Sequence, residues 1–146
     1  MSLNNSGEFT FIAQTNDETS LYFWDGNQLK KLFSEKIFGK FDAFAPQLND
    51  QRQIVFRGFN KKNRPALFYW HNNKVSVVLE EGDVVTTDLG KAQYGQHDPT
   101  YPLFSGNVSL NNNGAIAFSA GLHPYNDNQT EWGTGLFTLH LDSTAH

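Results

Sequence analysis

One phrase occurs three times in this chain, and the repetition restricts the possible folds more than any other feature. It reads LNNSGEF from Leu3, LNDQRQI from Leu48 and LNNNGAI from Leu110. Apolar or small residues follow each leucine at the sixth, eighth and tenth positions, namely Phe9, Phe11, Ala13, Ile54, Phe56, Gly58, Ile116, Phe118 and Ala120. A period of two is typical of a half-buried strand. The phrase therefore predicts three equivalent strands, each behind a turn.

The turn in each copy has an asparagine after the leucine, and asparagine side chains bond readily to backbone groups two residues on. Gly7 and Gly114 can supply the positive φ that a tight turn needs. Arg52 stands at this position in the middle copy. Either that turn has a different type or the arginine adopts a strained conformation, and we expect the different type.

A second shared block follows each predicted strand. It reads SLYFWDGNQLKKLF from Ser20 and ALFYWHNNKVSVVL from Ala66, and the third copy, GLFTLHLD from Gly135, matches it at Leu136 and Phe137. Two polar residues between aromatic stretches, as in Asp-Gly, are typical of a β-hairpin. Each copy is therefore expected to form a β-meander of three or four short strands.

The copies begin 45 and then 62 residues apart. A period of about 40–50 residues with about four strands is typical of a propeller blade. We predict an all-β, propeller-like array of about three antiparallel meander blades in one domain. The repeats span about 1–40, 41–102 and 103–146, with an insertion at 80–104. The helical spacing of Leu29, Phe33 and Ile37 leaves a short helix at 34–39 possible.

Three blades are fewer than the about four to eight of a closed ring. An unpaired sheet edge rich in Phe and Leu also invites association. The chain is then an excised fragment, or it dimerises into a larger ring or continuous sheet, or its two ends complete each other's blade. We expect self-association, and therefore a homo-oligomer.

Composition excludes several classes of function. With 146 residues, of which 38% are hydrophobic and 14% aromatic, the chain can bury a core. A net charge of −4 argues against nucleic-acid binding. The absence of cysteine excludes disulfides, thiolate metal sites and cysteine nucleophiles. No stretch has the about 20 apolar residues of a membrane span, and the start lacks the features of a signal peptide.

The pattern P-x-L-N-[DN]-x-G-x-[IV]-x-F, followed by G-[LI]-F, resembles a family of bacterial tandem-repeat β proteins with an N-x-x-G-x-x-A-F signature, often called the choice-of-anchor type. The likeness covers most of the chain outside 80–104 and 121–134. It implies a propeller-like fold and an extracellular or periplasmic location. It supplies no catalytic residues.

The candidate functional residues lie where the copies differ, because insertions usually map to loops on a rigid scaffold. The recurring aromatic residues Phe11, Phe56, Phe118, Trp24 and Trp70 are expected to form the core. The insertion 80–104 and the segment 121–135 are expected to carry the ligand-binding residues, for which we select Tyr94, His97, Asp98, His123, Tyr125, Asp127 and Trp132.

Aromatic rings beside amides and carboxylates suit a sugar, because a ring covers the apolar face of a pyranose while polar groups bond its hydroxyls. We therefore expect a non-catalytic module that binds carbohydrate or a protein surface, with no cofactor and no metal. The alternative is a structural unit that pairs open blade edges with copies of itself. A glycan hydrolase comes third, since it would need two facing carboxylates about 5–10 Å apart.

Overall fold

The computed structural model describes residues 1–141, which form antiparallel sheets with no α-helix within that range. The first sheet has the order β1 (Ser2–Leu3), β2 (Phe9–Gln14), β3 (Thr19–Trp24) and β4 (Leu29–Ser34). The middle sheet contains β5 (Gly39–Phe41), β6 (Gln47–Leu48), β7 (Ile54–Asn60), β8 (Pro65–His71) and β9 (Lys74–Glu80). The third sheet contains β10 (Val84–Thr87), β11 (Gly90–Tyr94), β12 (Ser109–Leu110), β13 (Ala115–Pro124) and β14 (Gly133–His140). The prediction of an all-β fold is confirmed.

The three copies of the phrase form the same turn. In each copy the asparagine Oδ1 accepts hydrogen bonds from the backbone N–H groups two and four residues on. These donors are Ser6 and Glu8 for Asn4, Gln51 and Gln53 for Asn49, and Asn113 and Ala115 for Asn111. The asparagine therefore replaces water as the partner of two turn amides and fixes the entry into the long strand.

Arg52 adopts a left-handed backbone conformation, with φ of 57°, where Gly7 and Gly114 have 77° and 78°. Our expectation of a different turn type is wrong, because Arg52 N–H donates to the Asn49 carbonyl at 3.1 Å as in the other copies. An L-residue is disfavoured in this region. The Arg52 guanidinium offsets this cost by binding the buried Glu8 carboxylate of the preceding turn through Nε, at 3.0 Å, and Nη2.

The turns are also joined to one another. Asn4 Nδ2 donates to the Asn49 carbonyl oxygen at 3.2 Å, and Asn49 Nδ2 donates to the Asn111 carbonyl oxygen at 3.0 Å. We call these three residues, with the residue that follows each, the asparagine ladder, and we call each such pair of residues a rung. The bonds that Asn4 and Asn49 make to the next rung both run from the earlier copy to the later one, so this part of the ladder has a direction.

The second residue of each rung continues the pattern. Asn5 N–H donates to Asp50 Oδ1 at 2.8 Å, and Asp50 N–H donates to Asn112 Oδ1 at 2.9 Å. Both asparagine side chains also donate to Asp50 Oδ2, at 2.8 and 2.9 Å. These contacts lower the pKa of Asp50, with the Asn5 side chain as the main cause.

Two cores lie on either side of the middle sheet. The core between the first and middle sheets is mainly aromatic and includes Phe23, Phe33, Phe38, Phe41, Ile54, Phe56 and Phe68. The core between the middle and third sheets includes Val55, Leu67, Leu79, Tyr94, Phe104, Ile116, Phe118 and Leu122. Because β-strand side chains alternate, Ile54 and Phe56 face one core while Val55 faces the other. The middle sheet is therefore buried on both faces.

A buried arginine links the β5–β6 connection of the middle sheet to the β11–β12 connection of the third sheet. Arg57 on β7 binds the Asp42 carboxylate at 2.8 Å and donates to the Gly106 carbonyl oxygen. Its guanidinium lies 3.9 Å from the centre of the Phe44 ring. A buried charge is stable only when it is paired in this way.

The prediction that the recurring aromatic residues all form the core is wrong for the outer face of the first sheet. Phe56 and Phe118 are buried as expected, and Trp70 packs against the aromatic core. Phe11 and Trp24 are only half-buried, because they face away from the middle sheet. The period of two identifies the shared face, but burial depends on a neighbouring sheet that residues 1–141 do not supply on this side.

The two segments expected to be functional loops both contain strand residues. Most of 83–94 forms the β10–β11 hairpin, which pairs with β13 through Tyr94 and Leu122. Of the segment 121–135, residues up to Pro124 belong to β13 and residues from Gly133 belong to β14. The possible helix at 34–39 is one 3₁₀ turn, Glu35–Ile37. No helix among residues 1–141 is long and apolar enough to cross a membrane.

Candidate functional site

A cleft of about 670 Å³ lies between the middle and third sheets. It is lined by the β7–β8 turn (59 and 63–65), by 81–82, by 94–96 and 99–103 of the insertion, and by His123 and Asn128. The lining therefore combines the end of β11 and the loop that follows it with the β7–β8 turn of the neighbouring sheet. Two of the seven selected residues, Tyr94 and His123, line it.

Tyr94 forms the floor of the cleft. Its ring is buried and contacts Phe137 edge to face, with ring centres 5.1 Å apart. Burial, and to a lesser extent the negative charge of Asp83, raise the pKa of its hydroxyl. The hydroxyl is therefore protonated at neutral pH and can donate a hydrogen bond.

His123 is 9% exposed and lies on β13, opposite Gln93 of β11. Its Nδ1 donates to the Pro124 carbonyl oxygen at 2.9 Å, because a carbonyl can only accept. In the neutral ring Nε2 is then an acceptor. A Cβ at Gly95 would lie 2.7 Å from this Nε2, so only glycine leaves room for the imidazole.

Gln96 packs across the backbone of Gly121, where a Cβ would overlap the Gln96 amide. Its Nε2 donates to the Pro102 carbonyl oxygen at 3.2 Å. Its Oε1 is buried and has no hydrogen-bond partner. A buried acceptor without a partner costs about 1–3 kcal/mol, and this one belongs to a residue that lines the cleft.

Three other selected residues build the rim. His97 Nδ1 donates to the Asn128 carbonyl oxygen at 3.0 Å, which ties the insertion to the β13–β14 turn. Asp98 accepts from Thr100 N–H and Oγ1, and the Thr100 side chain is the main reason that its pKa is lowered. Asp127 holds the turn 127–130, and its pKa is lowered chiefly by the Thr130 side chain. Both carboxylates are occupied by their own turns.

The remaining two selected residues lie outside the cleft. Tyr125 receives the Lys91 ammonium group 3.7 Å above its ring. Trp132 is half-buried against the core between the middle and third sheets, and its backbone N–H donates to the Leu122 carbonyl oxygen at 3.0 Å. The seven residues therefore do not converge on one ligand.

The ligand-binding residues selected from the sequence did not include four others that line the cleft, namely Arg64, Glu81, Gln96 and Asn128. Arg64 belongs to the β7–β8 turn and joins the cleft only through stacking of the sheets, which leaves no local signal. The KNRP stretch at 62–65 indicates a turn and nothing more. Gln96 could have been noticed as a neighbour of His97 in the insertion.

Among residues 1–141, no group of three or more His, Asp or Glu side chains could hold a metal ion. The surroundings of five carboxyl groups lower their pKa values, namely those of Glu8, Asp25, Asp50, Asp98 and Asp127. A hydrolase that uses a carboxylic acid as general acid would require a raised pKa for that group.

Comparison of the chain with protein-family models, curated proteins and solved structures gave no match.

Proposed function

We propose that this chain is a non-catalytic binding module whose cleft accepts a carbohydrate. Sugars present closely spaced hydroxyls that both donate and accept, and they have apolar faces that pack on aromatic rings. The cleft combines these two kinds of surface, and its volume falls within the range of about 300–1,000 Å³ for small-molecule sites.

The observation that carries this proposal is the presence of two complementary polar groups in one cleft. The Tyr94 hydroxyl is a donor, and the His123 Nε2 is an acceptor because Nδ1 holds the ring proton. A ligand with several hydroxyls could bond to both groups, whereas an apolar ligand would leave both without a partner.

Tyr101 provides the aromatic surface. It is 64% exposed at the mouth of the cleft, where its ring is available for stacking. Arg64 of the β7–β8 turn and Asn128 of the β13–β14 turn also line the cleft and offer further donors. An exposed aromatic ring above a polar floor supports recognition of a sugar ring.

The test is a calorimetric titration of the chain with a panel of neutral oligosaccharides built from hexoses, pentoses and N-acetylhexosamines. We expect at least one of them to bind, and we expect Tyr101→Ala and Tyr94→Phe each to weaken its binding about tenfold, the equivalent of about 1.4 kcal/mol. Tyr125→Ala is the matched control, because it also removes an exposed tyrosine but lies outside the cleft.

Two results would overturn the proposal. One is a panel in which no sugar binds. The other is a sugar whose affinity falls equally in Tyr101→Ala and Tyr125→Ala, since binding would then not depend on the cleft. Thermal melts of each variant show whether the fold is retained.

A further inference from the structure

Corresponding leucines in the three sheets have very different environments. Leu21 and Leu67 are both 0% exposed, because each points into the core shared with the next sheet. Leu136 occupies the matching position on β14 and is 87% exposed. The third sheet therefore presents to solvent a face that the first and middle sheets bury.

The opposite end of the stack has the complementary defect. Phe9, Phe11, Tyr22 and Trp24 form a row of stacked rings on the outer face of the first sheet, with neighbouring ring centres 5.5–6.2 Å apart. The corresponding residues of the middle sheet face the aromatic core, where Phe56 is fully buried. The first sheet thus presents large rings where the middle sheet presents them to a neighbour.

The outer face of the third sheet is shaped to receive such rings. Its residues Ala117 and Ser119 are small, and with Leu136 and Thr138 they line a groove of about 430 Å³. Large rings on one face and a groove of small residues on the other are complementary in shape. Two aromatic faces or two grooves would not fit in this way.

The asparagine ladder ends with the same complementarity. Asn4 Nδ2 and Asn49 Nδ2 donate to the next rung, whereas Asn111 Nδ2 has no acceptor within residues 1–141. At the other end, the Asn4 carbonyl oxygen accepts only the Gly7 N–H of its own turn over the same range, while its counterpart in Asn49 accepts two bonds. One end offers a donor and the other an acceptor.

The neighbouring residues repeat this relation. Asn5 N–H and Asp50 N–H each donate to the side-chain oxygen of the following rung. In the part of the chain that the structure describes, the Asn112 N–H has no such acceptor and the Asn5 Oδ1 has no such donor. The ladder is therefore open at both ends, with matched groups at each.

We propose that a second copy of this chain docks head to tail, placing its first sheet on the third sheet of the copy before it. Asn111 Nδ2 then donates to the Asn4 carbonyl of the second copy, and Asn112 N–H donates to its Asn5 Oδ1. Leu136 becomes buried against the ring row, as Leu21 and Leu67 are within one copy. The contact repeats a junction that the chain already makes twice.

The direction of the ladder decides the symmetry of this contact. A two-fold dimer would place donors against donors or acceptors against acceptors. A head-to-tail contact joins different surfaces, so it closes into a ring or continues as an open chain of copies. Two copies supply six sheets, within the range of about four to eight blades in closed rings.

The first test measures the mass of the chain in solution by light scattering over a concentration series. We expect species larger than one chain, either as a discrete ring or as a growing series. Leu136→Asp should abolish them, because it places a charge in the docking face without disturbing a buried contact of the single chain. Leu89→Asp is the matched control, since Leu89 is 67% exposed but lies in the β10–β11 turn.

The second test mixes two variants that do not associate alone. Phe11→Asp disrupts the ring row and Leu136→Asp disrupts the groove, so their mixture retains one intact pair of surfaces. We expect it to form a 1:1 dimer that grows no further. Circular dichroism checks that each variant folds, and Trp24→Gln replaces Phe11→Asp if that variant does not.

Three outcomes would overturn the proposal. The wild-type chain could stay monomeric over the whole concentration series. Leu89→Asp could disrupt association as strongly as Leu136→Asp. The mixture could fail to form a heterodimer, as expected for a two-fold contact. None of these outcomes bears on the carbohydrate cleft, whose lining shares no residue with the groove or the ring row.

Discussion

The first and middle sheets are built from sequence blocks with the same pattern of apolar residues, but the corresponding faces of the two sheets differ in exposure to solvent. Phe56 and Phe11 occupy equivalent positions behind the same asparagine turn, yet only Phe56 is fully buried. The local structure of the two strands is the same, so the difference arises entirely from their neighbours. Burial in a stacked array belongs to the junction between two sheets rather than to either sheet alone.

The largest expected effect separates these two phenylalanines. Phe56→Ala should lower the free energy of unfolding by about 3–5 kcal/mol, because it leaves a cavity between packed rings. Phe11→Ala should cost about 1 kcal/mol or less in the single chain, where its ring is half exposed. Urea unfolding at low protein concentration measures both, and equal losses would contradict the contrast between the sheets.

The leucines extend the comparison to the third sheet. Leu67→Ala should cost about 2–5 kcal/mol, whereas Leu136→Ala should change stability by no more than about 0.5 kcal/mol. The same urea titrations apply. If the Leu136 variant lost several kcal/mol at low concentration, its side chain would be buried within one chain.

The ladder asparagines give a smaller difference. Asn49 is buried and bonded to both its own turn and the next one, so Asn49→Ala should cost about 1–3 kcal/mol through unsatisfied amides. Asn111 is exposed, and water can replace its side chain, so Asn111→Ala should cost about 1 kcal/mol or less. Thermal melts compare the two, with Asn113→Ala as an exposed control in the same turn.

Acid should weaken one junction and spare the other. The Arg52 guanidinium, more than any other group, lowers the pKa of Glu8 in the folded chain. The resulting stabilisation is fully present above the ordinary pKa of a glutamate and is lost as the pH falls through the lower folded value. The second junction has Gln53 and Gly114 at these two positions, which do not titrate.

Glu8→Gln should therefore flatten the fall in stability between about pH 5 and pH 3, a range that begins just above the ordinary pKa of a glutamate and extends below it. Urea midpoints across this range measure the effect, which should be the smallest of the four. Glu131→Gln serves as a control at an exposed carboxylate. An unchanged acid profile in Glu8→Gln would show that the Glu8–Arg52 pair does not stabilise the junction.

Much of the fold follows from the sequence. The repeated phrase predicts the strands that begin at Phe9, Ile54 and Ala115, since an asparagine turn and a period of two are local signals. The Arg52 turn could not be predicted, because what compensates its left-handed backbone is Glu8, 44 residues away. The β10–β11 hairpin was missed because the insertion has no counterpart in the other copies.

The candidate site was less predictable than the fold. Tyr94 and His123 line the cleft, but Arg64 joins them only because two sheets stack. Asp98 and Asp127 had the composition of ligand-binding residues and instead hold their own turns. Short-range spacing reveals turns and strands, whereas a cleft depends on packing between distant segments.

The second residue of each rung of the ladder allows amide hydrogen exchange to be compared at three equivalent positions within one molecule. Asn5 and Asp50 bind their N–H groups to a neighbouring side chain, whereas Asn112 has the same local turn without that acceptor in residues 1–141. Three chemically similar amides in one molecule should thus exchange at different rates. The Asn112 amide reports directly on whether its end of the stack is covered.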